Sequence, residues 1–558
     1  MFEKILIANR GEIAVRVIRA CRLLKIRSVA VYSEADEDAL HTRLADEAIC
    51  CGPARATESY LDVAKIVEIA SRVGADAIHP GYGFLSENAG FAQAVTDAGI
   101  AFIGPTPEVI RAMGLKLAAR ERMIEAGVSV VPGGEEITDA EEARKAAAAI
   151  GYPVLIKASA GGGGRGMRRV EEESELEVAL ERASSEAESA FGDGAIYLEK
   201  CLIGPRHIEI QIMADSAGHT IHFGERECSI QRRHQKLVEE APAFGMTPEL
   251  RAAMGAAAVR AARAVGYVGA GTCEFLVDAR GEFFFLEMNT RIQVEHPVTE
   301  AVTNVDLVDL QIRMAAGETL SIAQEDVSIS GHAIEARIYA EDPDKNFIPS
   351  PGPIVAWAEP VGPGLRLDSG FEGGQTVTSH YDPMLAKLIA FGRDREEALG
   401  RLAAALEEFS IAGIRTGLPF LRRLCENEVF RKGAYDTAFI EDEMGEGPPP
   451  LDAALCDLVL ALVARRAAAA DPEGRTCFDV ALPKIASVRA EVSGNTDDNR
   501  VRLGDREITI DVSSDVDAIV TLMHDGAALR LTVVARKKGG FEIGLRDRVL
   551  RVKCAPAD

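Results

Sequence analysis

Thr272-Cys273-Glu274-Phe275-Leu276-Val277, followed after five residues by Phe283-Phe284-Phe285-Leu286-Glu287, reads as the two strands of one hairpin. With Arg280-Gly281 as a two-residue turn, Ala279 pairs with Glu282, and counting back sets Glu274 opposite Glu287. Like charges facing each other on a sheet are destabilising unless something between them compensates, and a hard divalent cation bound through oxygen does so. A solvated pair on an exposed face is the plainer alternative. The apolar and aromatic neighbours favour a buried hairpin instead.

The chain continues Glu287-Met288-Asn289-Thr290-Arg291-Ile292-Gln293-Val294-Glu295. In an extended chain Glu287, Asn289, Arg291, Gln293 and Glu295 would project from one face. An ordinary amphipathic strand alternates in the same way, but this row combines metal-type oxygens, a guanidinium, an amide and a further carboxylate. It offers cation ligands, an oxyanion clamp and a base.

Upstream, Lys157-Ala158-Ser159-Ala160-Gly161-Gly162-Gly163-Gly164-Arg165-Gly166-Met167 follows an expected strand over 153–157 and holds five glycines in six positions. Such freedom costs folding entropy. Bare N–H groups in the loop can close over phosphate oxygens, with Lys157 adding a point charge. The run lacks a P-loop ending, and a flexible surface loop is the alternative. Two basic features, Gln231-Arg232-Arg233-His234-Gln235-Lys236 and Arg337, decide nothing alone. The first reads equally as a solvated charge run, and Arg337 has Glu335 and Glu341 within reach as simple ion-pair partners.

Outward from these segments, residues 1–115 alternate short apolar strands with helices, which predicts a doubly wound parallel sheet. Residues 116–330 form an α+β unit containing a glycine-rich subdomain at about 131–204, and 331–445 a further unit. Gly445 to Pro450 is the clearest linker. Beyond it, Leu451 to Ala470 reads as an Ala/Leu-rich helix. Short strands with turn signals at Asn495 to Asn499, Gly504-Asp505, Asp525-Gly526 and Gly539-Gly540 then predict a small β-barrel or sandwich in 446–558. The expected class is a multidomain chain of α/β and α+β units.

The 558 residues carry 62 basic and 87 acidic side chains, a formal charge of −25, which argues against general affinity for nucleic acid or anionic lipid. Ten dilute cysteines, with only Cys50 and Cys51 adjacent, read as reduced thiols. The chain enters a strand directly after Met1 and has no run of about 18 apolar residues, so a cytoplasmic protein without a membrane span is expected.

Taken together, Ile7-Ala8-Asn9-Arg10-Gly11-Glu12-Ile13-Ala14, His79-Pro80-Gly81-Tyr82-Gly83, the lysines and glycine run, Glu287-Met288-Asn289-Thr290-Arg291 and Tyr381-Asp382-Pro383-Met384 resemble the ATP-grasp biotin carboxylases of acyl-CoA carboxylases over about residues 1–445. In that family ATP phosphorylates bicarbonate to carboxyphosphate, which carboxylates N1′ of biotin on a carrier protein. The resemblance implies that Lys116 and Lys157 hold nucleotide phosphates beneath a lid containing Gly162, Gly163, Gly164 and Gly166. It places Glu199, Lys200 and Leu202 at the adenine, His207, Gln231 and His234 around the nucleotide, and Lys236 against the transferred phosphoryl group. Glu274, Glu287 and Asn289 would hold Mg²⁺ or Mn²⁺. Arg291, Gln293 and the Val294 backbone would clamp bicarbonate, Glu295 would remove its proton, and Arg337 would stabilise the biotin anion.

In this family, subunits that carry their own biotin have a Met-Lys-Met hairpin, and no such triplet occurs here. A biotin carboxyl carrier protein on a separate chain is therefore expected. Residues 451–558 are similar in layout to the domain that attaches such subunits to a carboxyltransferase, which implies that partner docked on 446–558, and the family resemblance implies a homodimer or larger hetero-oligomer. Two other readings compete: an ATP-grasp ligase with a different acceptor, and a non-catalytic assembly scaffold. The bicarbonate row and Arg337 argue against the first, and the filled catalytic positions against the second.

Overall fold

A computed structural model of the chain describes residues 1–137, 139–159, 167–191, 194–445, 447–483, 486–493, 499–516, 518–524, 526–536 and 539–557. Gly162, Gly163, Gly164 and Gly166 lie outside the described residues, as do turn positions 495–498 and Asp525.

The alternating pattern at the start folds as a five-stranded parallel sheet in the order Glu47–Gly52, Arg27–Ser33, Lys4–Ile7, Ala77–His79, Ala101–Phe102. Glu47–Gly52 is an edge strand, half exposed, so it has no continuous apolar run and sequence periodicity passes over it. Strand order reverses beside Lys4–Ile7, the place where open α/β sheets bind ligands. There the Asn9 amide donates to the carbonyls of Pro80 (2.8 Å) and Tyr82 (2.7 Å). Gly81 sits at φ +63°, and a Cβ on it would stand 2.9 Å from Asn9 Nδ2, so glycine is required.

Eight antiparallel strands form the central sheet, in the order Phe283–Asn289, Gly269–Val277, Arg206–Ala214, Thr220–Arg232, Gln235–Ala241, His332–Tyr339, Met384–Gly392, Leu365–Ser369. Strands from both sides of residue 330 share this sheet, since Gln235–Ala241 pairs directly with His332–Tyr339. Alternation along His332–Tyr339 sends Ile334, Ala336 and Ile338 into an apolar core and turns Glu335 and Arg337 to the other face. A smaller four-stranded sheet, Gly133–Ile137, Ile196–Lys200, Val154–Ala158, Arg168–Val170, packs under helices Ala140–Ile150 and Glu173–Phe191.

Helix Ala453–Ala470 starts at Asp452, whose carboxylate accepts from the Leu455 N–H. Leu458 to Ala464 are buried on every side of the helix, which demands an enclosure rather than a single packing face. A nine-stranded antiparallel sheet supplies it. Its first and last strands, Arg506–Thr509 and Asp511–Val516, are joined through buried Ile510, so the sheet curls nearly closed around the helix. Helix Leu418–Glu426 and the loop before it pin this barrel to the preceding unit. Arg415 donates to the Val549 carbonyl (2.8 Å), Arg422 to the Arg546 carbonyl (3.0 Å), and Arg546 pairs with Glu426 (2.6 Å).

Buried Glu240 ties three segments together, lying 2.5 Å from His332 Nε2 and 2.7 Å from Arg395 Nε while also accepting from the Tyr435 hydroxyl. Burial opposes its charge, but the His332 hydrogen bond and the Arg395 guanidinium bring its pKa from 4.5 down to about 2. A depressed carboxylate stabilises the fold above its unfolded pKa and loses that contribution as pH falls through its folded value, here between about 4.5 and 2. Glu240→Gln is expected to cost about 3 kcal/mol at pH 7 and to flatten stability across that acid window. Denaturant midpoints at pH 7 and pH 3 measure both effects, and equal midpoint losses at the two pH values would contradict the assignment.

Candidate active site

Glu274 does pair with Glu287, but through two departures from simple counting that cancel. The turn is three residues, Ala279-Arg280-Gly281, closed where the Asp278 N–H donates to the Glu282 carbonyl (2.9 Å), with Gly281 at φ +80°. A glycine in this left-handed position suits a three-residue loop. Pairing thus runs Val277 with Phe283 and Phe275 with Phe285 before a bulge at Leu286 restores Glu274 opposite Glu287.

The expected single extended row from Glu287 to Glu295 does not form. The strand ends at Asn289, the chain bends at Thr290 and Arg291, and Glu295 sits at the start of helix His296–Thr303. Pro297 in the first helical turn favours that start, because its missing N–H needs no intrahelical partner there. Folding back nevertheless gathers the same side chains. Gln293 Nε2 donates to Glu274 Oε1 (2.8 Å), Asn289 Nδ2 to the same oxygen (2.9 Å), and Arg291 Nη2 to Asn289 Oδ1 (2.8 Å).

Lys236 stands at the centre. Its Nζ donates to Glu209 Oε2 (2.6 Å), Glu274 Oε1 (2.9 Å) and Glu295 Oε1 (2.7 Å). Ile230 pairs with Val238 but Gln231 with Lys236, so Leu237 is an extra residue, and this bulge re-aims Lys236 toward the carboxylates. Burial alone would weaken the ammonium, yet the three carboxylates hold its pKa well above the usual lysine value. Reciprocally, burial opposes ionisation of Glu295, while Lys236, Arg337 and Arg226 pull its pKa well below the usual range. Arg337 pairs with neither Glu335 nor Glu341. Its Nε donates to Glu239 Oε1 (2.6 Å) and its Nη2 to Glu295 Oε2 (3.0 Å).

Lys157 forms an ion pair with Glu199, and Arg120 approaches the same carboxylate at 3.4 Å. Burial lowers the Lys116 pKa, with Glu287 opposing. His207 Nε2 lies 2.9 Å from Glu274 Oε2. Arg233 and His234, both at positive φ, form the tight turn between paired Arg232 and Gln235, which leaves His234 exposed and Gln231 on the strand paired with Lys236. The Lys200 ammonium is turned away to the Gly151 and Tyr152 carbonyls (2.8 and 2.9 Å), and Leu202 is half-buried beyond that strand.

Several residues of the site carry no obvious sequence signal. Fully buried Arg226 donates to Gln211 (2.7 Å), Gln293 (2.7 Å), Thr299 (3.0 Å) and Thr272 (3.1 Å), and also to Glu209. Glu87 accepts from Arg291 Nε (2.8 Å), and Lys387 holds the Val294 carbonyl (2.7 Å). His207, Glu209 and Gln211 alternate along one strand, a pattern from which Glu209 was readable; Glu87 and Lys387 arrive from remote segments. For a cation, Glu274, Glu287 and Asn289 supply oxygen donors from two paired strands, which suits a hard divalent ion. Burial and the facing Glu274 push the Glu287 pKa up, with Lys116 opposing, a penalty that a bound cation would relieve. His207, Glu209 and Glu274 also bring potential ligand atoms within 4.8 Å of one another.

Fold and site together define an ATP-dependent ligase. Residues 1–110 match the model of the biotin carboxylase N-terminal domain, 116–323 that of the carbamoyl-phosphate synthase L chain ATP-binding domain, and 335–442 that of the biotin carboxylase C-terminal domain. Biotin carboxylase 1 of Bacillus subtilis is 54% identical over 449 residues, covering 80% of this chain and 100% of that one. A pyruvate carboxylase subunit from Methanothermobacter thermautotrophicus is 55% identical over 443 residues, covering 79% and 90%. The biotin carboxylase domain dimer of Hydrogenobacter thermophilus 2-oxoglutarate carboxylase, solved with MgADP, ADP and bicarbonate, is 50% identical with a TM-score of 0.77, covering 80% and 98%. The chain belongs to the biotin carboxylase family, and its activity is the ATP-dependent carboxylation of biotin.

Proposed function

We propose that the chain is the biotin carboxylase component of an acyl-CoA carboxylase. In this reading it works in the cytoplasm on biotin presented by a carrier protein on another chain, as a homodimer or within a larger assembly containing a carboxyltransferase. The observation that carries the mechanism is Lys236 held between Glu209, Glu274 and Glu295, with Arg337 on the far side of Glu295. All ten cysteines are unpaired, in keeping with a reducing compartment. Among the described residues no helix is long and apolar enough to cross a membrane.

Lys116 and Lys157 hold the nucleotide phosphates, with Glu199, Lys200 and Leu202 along the adenine and His207, Gln231 and His234 around them. Mg²⁺ or Mn²⁺ on Glu274, Glu287 and Asn289 would neutralise phosphate charge. Arg291, Gln293 and the Val294 backbone hold bicarbonate, and Glu295 takes its proton as the bicarbonate oxygen attacks the γ-phosphorus and ADP leaves. When Lys236 turns to the phosphoryl oxygens, its hold on Glu295 weakens and the carboxylate becomes more basic, so the base is activated as the reacting phosphate arrives. The C–O bond between the carboxyl carbon of carboxyphosphate and its phosphate then breaks, the departing phosphate takes the N1′ proton of biotin, and the carboxyl carbon bonds to N1′ of the resulting anion, which faces Arg337.

ATP hydrolysis by the purified protein is expected to require both bicarbonate and free biotin. Turnover indifferent to biotin would favour a ligase with another acceptor, and a co-purified carboxyltransferase without ATP turnover would mark a scaffold. The separate carrier is supported by a relative that is itself named as a subunit of a larger enzyme. The family models end at residue 442, and the barrel beyond it is the part we assign to the carboxyltransferase. Removing 446–558 is expected to abolish capture of that partner and to spare biotin-dependent turnover. A pull-down identifies both partner chains; capture of a keto-acid carboxyltransferase would replace the acyl-CoA assignment.

A further inference from the structure

Glu239 and Glu335 stand directly opposite each other on strands Gln235–Ala241 and His332–Tyr339, and both are 0% exposed. Glu239 Oε1 accepts from Arg337 Nε at 2.6 Å, whereas Glu239 Oε2 and both Glu335 oxygens are buried with no hydrogen-bond partner. Two facing, ionised carboxylates with three unmet acceptor atoms are a costly arrangement away from water. A single proton between them makes one group a donor and removes the repulsion. The charged groups around them leave room for this. Glu335 meets Lys387 from Met384–Gly392, Arg337 from its own strand, and Glu239 and Glu295, while Glu239 meets Arg337, Glu295 and Lys236. Lys387 is already engaged by the Val294 carbonyl and lies 3.3 Å from Glu12, and Lys236 by its three carboxylates.

We propose that Glu239 and Glu335 hold one proton between them, and that Glu239 is thereby a positioning residue that keeps the Arg337 guanidinium on Glu295 and facing the biotin anion. The inference rests on the reading of Arg337 given above. A planar guanidinium fixed at Nε loses its freedom to rotate away, so its remaining N–H groups keep a constant aim. Burial, with Arg337 opposing and Glu295 adding, brings the Glu239 pKa up to about 7. For Glu335, burial, with Lys387 opposing and Glu239 adding, moves the pKa well above the ordinary range. Protonation of Glu239 as pH falls through about 7 weakens its grip on Arg337, so activity should decline on that acid limb.

The test is kinetics on the full chain with free biotin across pH 6 to 9. Glu239→Gln is expected to lower kcat roughly 10- to 100-fold, as loss of a supporting partner does, with the KM for ATP unchanged. Glu335→Ala removes the neutral hydrogen-bond donor beside Glu239 and is expected to move the acid limb to higher pH. Wild-type kcat in the first variant, or an unmoved limb in the second, overturns the proposal; the second outcome does so even where Glu239→Gln folds poorly. Arg337→Ala separates the two levels. Full biotin-dependent turnover in that variant defeats the reading of Arg337 itself, whereas an inactive Arg337→Ala beside a fully active Glu239→Gln defeats only the positioning role.

Discussion

Lys236→Ala is expected to abolish biotin-dependent ATP hydrolysis, with kcat falling roughly 10³-fold, the upper range for loss of one group that stabilises transition-state charge. Phosphoryl transfer needs charge neutralisation and positioning far more than covalent help, and this ammonium is shared by three carboxylates of the site. Its removal also leaves Glu209, Glu274 and Glu295 facing one another without their common partner, so a fall in melting temperature should accompany the loss. Lys236→Arg separates the two effects. It keeps the charge and the fold, but its planar fork cannot meet three carboxylates from one point, and turnover should stay low. Rapid turnover in both variants would remove Lys236 from the chemistry.

Glu274→Ala has the second largest expected effect, a loss of roughly 10² or more in kcat together with the response to Mg²⁺. One oxygen of this carboxylate accepts from Lys236, Asn289 and Gln293, and the other lies 2.9 Å from His207. Burial opposes its ionisation, but Lys236 and His207 lower its pKa strongly, so it remains charged under all working conditions. The decisive measurement is ADP binding titrated with Mg²⁺. Wild type should bind more tightly as the metal is added, and the variant should show a flat response. An unchanged metal response would transfer the cation to another set, with His207 and Glu209 the next candidates.

Much of this was legible in the residues because local patterns and the fold agree. The apolar runs of the first 115 residues specified parallel strands. Glu274 and Glu287 were paired from counting alone, although the structure reaches that pairing through a longer turn and a compensating bulge. What escaped detection was non-local or irregular. The bulge at Leu237 that aims Lys236 leaves no mark in composition, and Pro297 hints at a helix start without revealing that the row after Asn289 folds back. Arg226 reads as one more charge on a strand, and only the assembled sheet brings Gln211, Thr272, Gln293 and Thr299 around it. Glu47–Gly52 was missed because an edge strand need not be apolar.

The hydrogen-bonded seam between Gln235–Ala241 and His332–Tyr339 makes the carboxylase body indivisible as a genetic module. A gene split near codon 330 would leave each fragment with a raw strand border, two ready templates for aggregation, and would tear Arg337 from Glu239 and Glu295 at once. Recombination among such enzymes should therefore inherit everything before the terminal barrel as one piece.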